Sequence, residues 1–117
     1  MTTGVEAIPA YFAAIRARDV DALGALFTED AELVSAAGTV SGRDAIMSFY
    51  RDVAFEVDDL WPDPGPLIVE GDRVAVEIRL RMGGTTTLVG DVFTLAQGRI
   101  ARVAIYNGPQ VTDNGTG

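Results

Sequence analysis

Apolar residues recur at helical spacing along the first half of the chain and at every other position along the second. Ile8, Tyr11, Phe12 and Ile15 fall at i, i+3, i+4 and i+7, one face of an amphipathic helix. Thr3 and Glu6 have the spacing of a capping box ahead of it. Pro9 removes one early backbone bond, which predicts either a later start or a bend. Asp19 is placed to cap a second, short helix in which Val20, Leu23 and Phe27 turn inward. Over "TEDAELVSAAG" the period changes to two, with Ala31, Leu33 and Ser35 on one face and Glu32 and Val34 on the other. A third helix is predicted in "SGRDAIMSFYRDV", with Ser41 as its cap and Ile46, Phe49, Tyr50 and Val53 as its buried stripe.

From Ala54 onward the pattern is a meander of strands. "WPDPGP" is expected to break the first of them, "EGDR" turns the next, and "MGG" and "AQG" read as hairpin loops. "RVAVEIRLRM" and "RIARVAIYN" have strand composition. In the former, Val76, Ile78 and Leu80 alternate with Glu77, Arg79 and Arg81, which assigns an interior and an exterior face. "TDNGTG" at the end is expected to fray. Helices followed by a long antiparallel meander predict one α+β domain over residues 1–117, its three helices packed on one face of a curved sheet. Such a roll encloses a cone-shaped apolar pocket. Leu33, Val76, Ile78, Leu80, Val89, Phe93 and Val103 are the strand positions expected to line it.

One position breaks the pattern. In "TTTLVGDVFTL" Asp91 shares a strand face with Val89, Phe93 and Leu95, while Leu88, Gly90, Val92 and Thr94 point the other way. No register gives the acid a polar face. Either it lies inside the pocket, where burial favours the neutral carboxylic acid, or it sits at the mouth or pairs with Arg79, Arg81 or Arg102. Tyr11, on the helix face, is either a core tyrosine whose hydroxyl reaches solvent or a carbonyl, or a donor into the same pocket.

Composition narrows the chemistry. The 117 residues suit a single core. The net charge of −8, from 17 acids and 9 arginines with no lysine, disfavours nucleic acid and anionic membranes as partners. Absent cysteine removes thiol nucleophiles and thiolate metal sites, and absent histidine removes imidazole bases and nearly all zinc chemistry. Catalysis is left to carboxylates, phenols, hydroxyls, arginine and backbone groups. No apolar run approaches the ~20 residues of a membrane span, and the N-terminus lacks the pattern of a signal peptide. The expected location is the cytoplasm. No nucleotide signature or cofactor motif is present.

The stretches "YFAAIRARDVDALGALFTEDAELV" and "GRDAIMSFYRDV", with "LVGDVFTLAQGRIARVAIY" as closing strands, resemble the ketosteroid isomerase and SnoaL-like families of the nuclear transport factor 2-like superfamily. The resemblance implies the cone-shaped α+β roll. It also implies an oxyanion site in which Tyr11 and a protonated Asp91 hold a substrate carbonyl, with Tyr50 supporting Tyr11. Where the isomerases place an aspartate base, this chain has Ser35, which cannot take a proton from carbon without a strong neighbouring base. Glu32, Glu56, Asp58 and Glu77 are the carboxylates weighed as replacements. Three functions follow from the resemblance: a steroid delta-isomerase acting on a 3-oxo-Δ5 steroid or similar ketone; a SnoaL-like polyketide cyclase or other small-molecule enzyme; and a non-catalytic protein that binds a hydrophobic ligand. The expected partners are a small hydrophobic molecule such as a steroid and, through the outer sheet face, a second copy of the chain in a homodimer. No cofactor or metal is implied.

Overall fold

A computed structural model of the protein describes residues 4–111. The first helix, α1 (Ala7–Ala17), buries Ile8, Tyr11, Phe12 and Ile15, as their spacing predicts. Pro9 is its third residue, inside the first turn, where a missing N–H costs no helical bond. Glu6 stands at the N-cap without a side-chain cap bond, and Thr3, the other half of the predicted capping box, lies outside the described residues. The helix ends on Arg18 in the left-handed conformation (φ 53°), its N–H closing onto the Ala14 and Ile15 carbonyls. Asp19 then caps the short α2 (Val20–Gly24) by accepting a bond of 3.0 Å from the Ala22 N–H.

In α3 (Arg43–Asp52), Ile46 and Tyr50 are buried and Phe49 is half-buried. Two expectations for this helix fail. Its cap is Gly42 rather than Ser41, because Ser41 ends a preceding strand. Val53 is 55% exposed. It sits past the last helical residue, at φ −121°, so helical spacing no longer aims it at the core. A 3₁₀ turn follows at Ala54–Glu56.

Six strands form one sheet: β1 (Phe27–Ser35), β2 (Gly38–Ser41), β3 (Trp61–Glu70), β4 (Arg73–Met82), β5 (Thr85–Ala96) and β6 (Arg99–Val111), in the order β2-β1-β6-β5-β4-β3. Every neighbouring pair is antiparallel except β1 with β6. Phe27, expected in the second helix, instead opens β1 and is fully buried. "WPDPGP" does not break the strand. It forms the first part of β3, an edge strand paired with β4 on one side only, where prolines are tolerated, and a register shift between Pro64 and Leu67 absorbs the mismatch. The turns at Gly71, at Gly83 with Gly84, and at Gln97 with Gly98 all use positive φ, as hairpin loops require. "TDNGTG" lies outside the described residues.

The helices cover one face of this sheet, making an α+β roll. Glu77, Arg79 and Arg81 lie exposed on the other face. At one end Tyr11 and Phe12 of α1 pack edge-to-face on Phe93, in one buried cluster with Val74, Leu95 and Val103. At the other end helix and sheet diverge and leave a space. None of the described helices is long and apolar enough to cross a membrane.

Candidate functional site

The space is a cavity of about 240 Å³. Its walls are Phe12 and Ile15 from α1, Phe49 from α3, the segment carrying Val53, Ala54, Val57 and Leu60, and Ile78, Leu80, Val89 and Ile105 from the sheet. Against this apolar lining stand the polar side chains of Tyr11, Tyr50, Asp91 and Asn107.

Asp91 lies in the middle of β5, opposite Val76 on one side and Ile105 on the other. Only 4% of it is exposed, and its Oδ1 has no hydrogen-bond partner. Burial alone pushes its carboxyl from the ordinary value of 3.8 up to about 7. The arginine alternative fails on strand geometry. Arg79 and Arg81 face outward, where Arg81 Nε approaches Asp59 Oδ2 at 3.7 Å. Arg102 is opposite Thr94, on the face that Asp91 does not share.

Tyr11 is 1% exposed, and its hydroxyl meets neither solvent nor a carbonyl but the Tyr50 hydroxyl, at 2.5 Å. Edge-to-face contacts with Phe12, Phe27, Tyr50 and Phe93 fix its ring. Burial raises both phenols well above their ordinary value, and the charge of Asp91 raises both further, so both stay protonated. Two hydroxyls carry two protons, and their mutual bond uses one. The other is free to donate into the cavity.

The family model of the SnoaL-like domain matches residues 8–103. The chain belongs to the SnoaL-like family. Its fold is that of the nuclear transport factor 2-like superfamily, as similar solved structures show. A candidate polyketide cyclase from Sinorhizobium meliloti is 26% identical to this SnoaL-like protein, with a TM-score of 0.79 over 86% of this chain and 93% of that one. The epoxide hydrolase/cyclase-like enzyme SalBIII, with a role in pyran ring formation in the polyether salinomycin, is 25% identical, with a TM-score of 0.81 over 90% of each chain. A candidate ketosteroid isomerase from Kribbella flavida, 19% identical, has the same fold, with a TM-score of 0.81 over 98% of this chain and 84% of that one. Comparison with curated proteins finds no match.

In this SnoaL-like protein the residues singled out from sequence divide into two groups. Tyr11, Tyr50, Asp91, Ile78, Leu80 and Val89 meet on the cavity wall. Leu33, Val76, Phe93 and Val103 do not: they are buried in the packed core, outside the cavity lining. Ser35 lies at the end of β1, and its Oγ accepts the Ala37 N–H at 3.2 Å within the turn to β2. Its hydroxyl serves that turn, not the cavity. Glu32, Glu56, Asp58 and Glu77 are all exposed, and none is on the cavity wall. Ile105 and Asn107 were missed, although they continue the inward alternation that begins at Val103. Val57, Leu60 and Pro62 come from a stretch with no periodic signal to reveal them.

Proposed function

We propose that this protein moves a proton beside the carbonyl of a small hydrophobic ketone, with Asp91 as the proton carrier and the Tyr11–Tyr50 pair as the donor to the carbonyl oxygen. The observation that carries this reading is the buried Asp91 Oδ1, unpartnered on an apolar wall it shares with two linked phenols. The sequence's resemblance to the ketosteroid isomerases implies a different division of labour, with Asp91 as a second oxyanion donor. That role needs another base, and the described part of the cavity wall has no other carboxylate. With Asp91 as the base, every part of the reaction is supplied by the wall itself.

The steps then balance. The Asp91 carboxylate takes a proton from the carbon next to the carbonyl, and the C–H electrons form a carbon–carbon double bond. The oxygen becomes an enolate held by the free phenol proton. Returning the proton to a different carbon gives an isomerised double bond, the reaction of a steroid delta-isomerase on a 3-oxo-Δ5 steroid. If instead the enolate carbon attacks a second carbonyl, the Asp91 proton passes to the new alkoxide and a ring closes. The candidate polyketide cyclase at 26% identity supports this second reading.

Turnover of 5-androstene-3,17-dione, followed by the rise in enone absorbance, tests the isomerase form, and a linear polyketone tests ring closure. In either reaction D91N is expected to lower kcat by about 10²–10⁴, and kcat/KM is expected to rise with pH through about 7, because the base must be ionised. A rate that instead falls through that pH assigns Asp91 to the donor role. Tight binding of both compounds without turnover makes the protein a carrier.

A further inference from the structure

One polar group on the cavity wall has no part in that chemistry. Asn107 lies opposite Val89 on the neighbouring strand, two positions beyond Ile105, the partner of Asp91. Diagonal neighbours of this kind are roughly 7 Å apart, so the two side chains leave the sheet about one ring's width from each other. Val53 and Met82, the half-exposed wall residues, mark the mouth, and Asn107 is likewise exposed. The strand pairing is irregular just beyond it. Between Asn107 and Gln110 β6 holds one residue more than β5 does between Val89 and Thr87. Within that bulge Gly108 lies so close to the next strand that a Cβ would stand 2.7 Å from the Leu88 carbonyl oxygen. Bulges of this type re-aim side chains beside sites.

Asparagine is disfavoured in strands, and a leucine here would complete the apolar wall. An amide at this point has a consequence for binding. A ligand that covers it with hydrocarbon strips its water and leaves donor and acceptor unpaired, whereas a ligand with an oxygen there keeps them satisfied. We infer that Asn107 is a second polar anchor of the cavity, and that the ligand is a compact fused-ring molecule with a hydroxyl or carbonyl about one ring away from the reacting carbonyl. This rests on the cavity being the site proposed above. A single-carbonyl steroid bound by that carbonyl passes only hydrocarbon across Asn107.

The test uses two probes, 2-naphthol and 2,6-dihydroxynaphthalene, titrated calorimetrically into the wild-type protein, D91N and N107L. Wild type is expected to prefer the diol by about ten-fold, about five-fold from one net hydrogen bond and about two-fold from the symmetry of the diol. N107L is expected to bind 2-naphthol at least as well as wild type does, while its preference for the diol falls to the statistical factor of a symmetric molecule. A wild-type protein that does not distinguish the probes, or an N107L that keeps the full preference, overturns the anchor and leaves Asp91 and the phenols untouched. Binding of neither probe, or binding that D91N leaves unaltered, removes the cavity reading and the anchor with it.

Discussion

The Tyr11 and Tyr50 hydroxyls are buried side by side, so the energetics of each depends on the other. Y11F removes one hydroxyl and leaves the Tyr50 oxygen without its partner in an apolar wall, and Y50F does the converse. Each single change is expected to lower stability by about 1–2 kcal/mol, mostly the penalty of the orphaned group. The double variant Y11F/Y50F removes both polar groups, and its loss is expected to fall short of the sum of the singles by about 1 kcal/mol. Urea denaturation of the four proteins measures this. Strict additivity denies that the two hydroxyls are coupled. Activity behaves differently, because either single variant keeps one phenol to donate to the substrate oxygen, whereas the double variant keeps none.

The segment between α3 and β3 supplies Val53, Ala54, Val57 and Leu60 to the cavity, yet it contains only a 3₁₀ turn. Arg18 holds it in place. The Arg18 guanidinium donates to the carbonyl oxygens of Val57 at 2.7 Å, Asp58 at 2.9 Å and Phe55 at 3.4 Å. A residue at the left-handed end of α1 thereby fastens one wall of the cavity to the helix that carries Tyr11. R18G keeps the backbone conformation at ease and removes the clamp. Amide exchange over residues 54–60 is expected to quicken by about ten-fold, the loss of one to two kcal/mol of local stability, while β5 and β6 exchange as before. Unchanged exchange over 54–60 assigns the holding of that segment to its apolar contacts.

The same contrast explains what could be read from the sequence. The inward faces of α1 and of β4 and β5, and the misplaced Asp91 among them, followed from periodicity, because one buried side fixes which residues alternate inward. Segment 53–60 has no period and is held by long-range bonds from Arg18. "GTVS" is too short to announce itself as β2, and the prolines of β3 are tolerated only because topology puts it at the edge. Leu33, Val76, Phe93 and Val103 show a further limit: alternation identifies the inner face but not where along a strand the packed core gives way to cavity.

At the scale of the whole molecule, the missing histidines and cysteines give Asp91 an unusual prominence. No side chain with an ordinary pKa between about 5 and 8 exists in the chain, so stability across that range reports the shifted carboxyl. The unfolded chain releases the Asp91 proton near its ordinary value of 3.8, and the folded protein keeps it up to about 7. Between those values the folded state binds more protons, so stability falls as pH rises, by up to about 4 kcal/mol, and levels off above 7. Asp59 acts in the opposite sense and in a separate window. The N–H groups of Gly84 and Gly83 lower its pKa, so its contribution is lost only as pH drops below the ordinary carboxylate range. D91N cannot ionise. Its stability relative to wild type is therefore expected to climb from near zero at about pH 4 to a gain of up to about 4 kcal/mol at pH 8, as thermal or urea unfolding across that range would record. That gain accompanies the loss of the proton carrier, the trade that a strained functional group imposes on its fold. Parallel pH curves for the two proteins would mean that the carboxyl titrates as a solvated one, and the proton chemistry assigned to the cavity would lose its source.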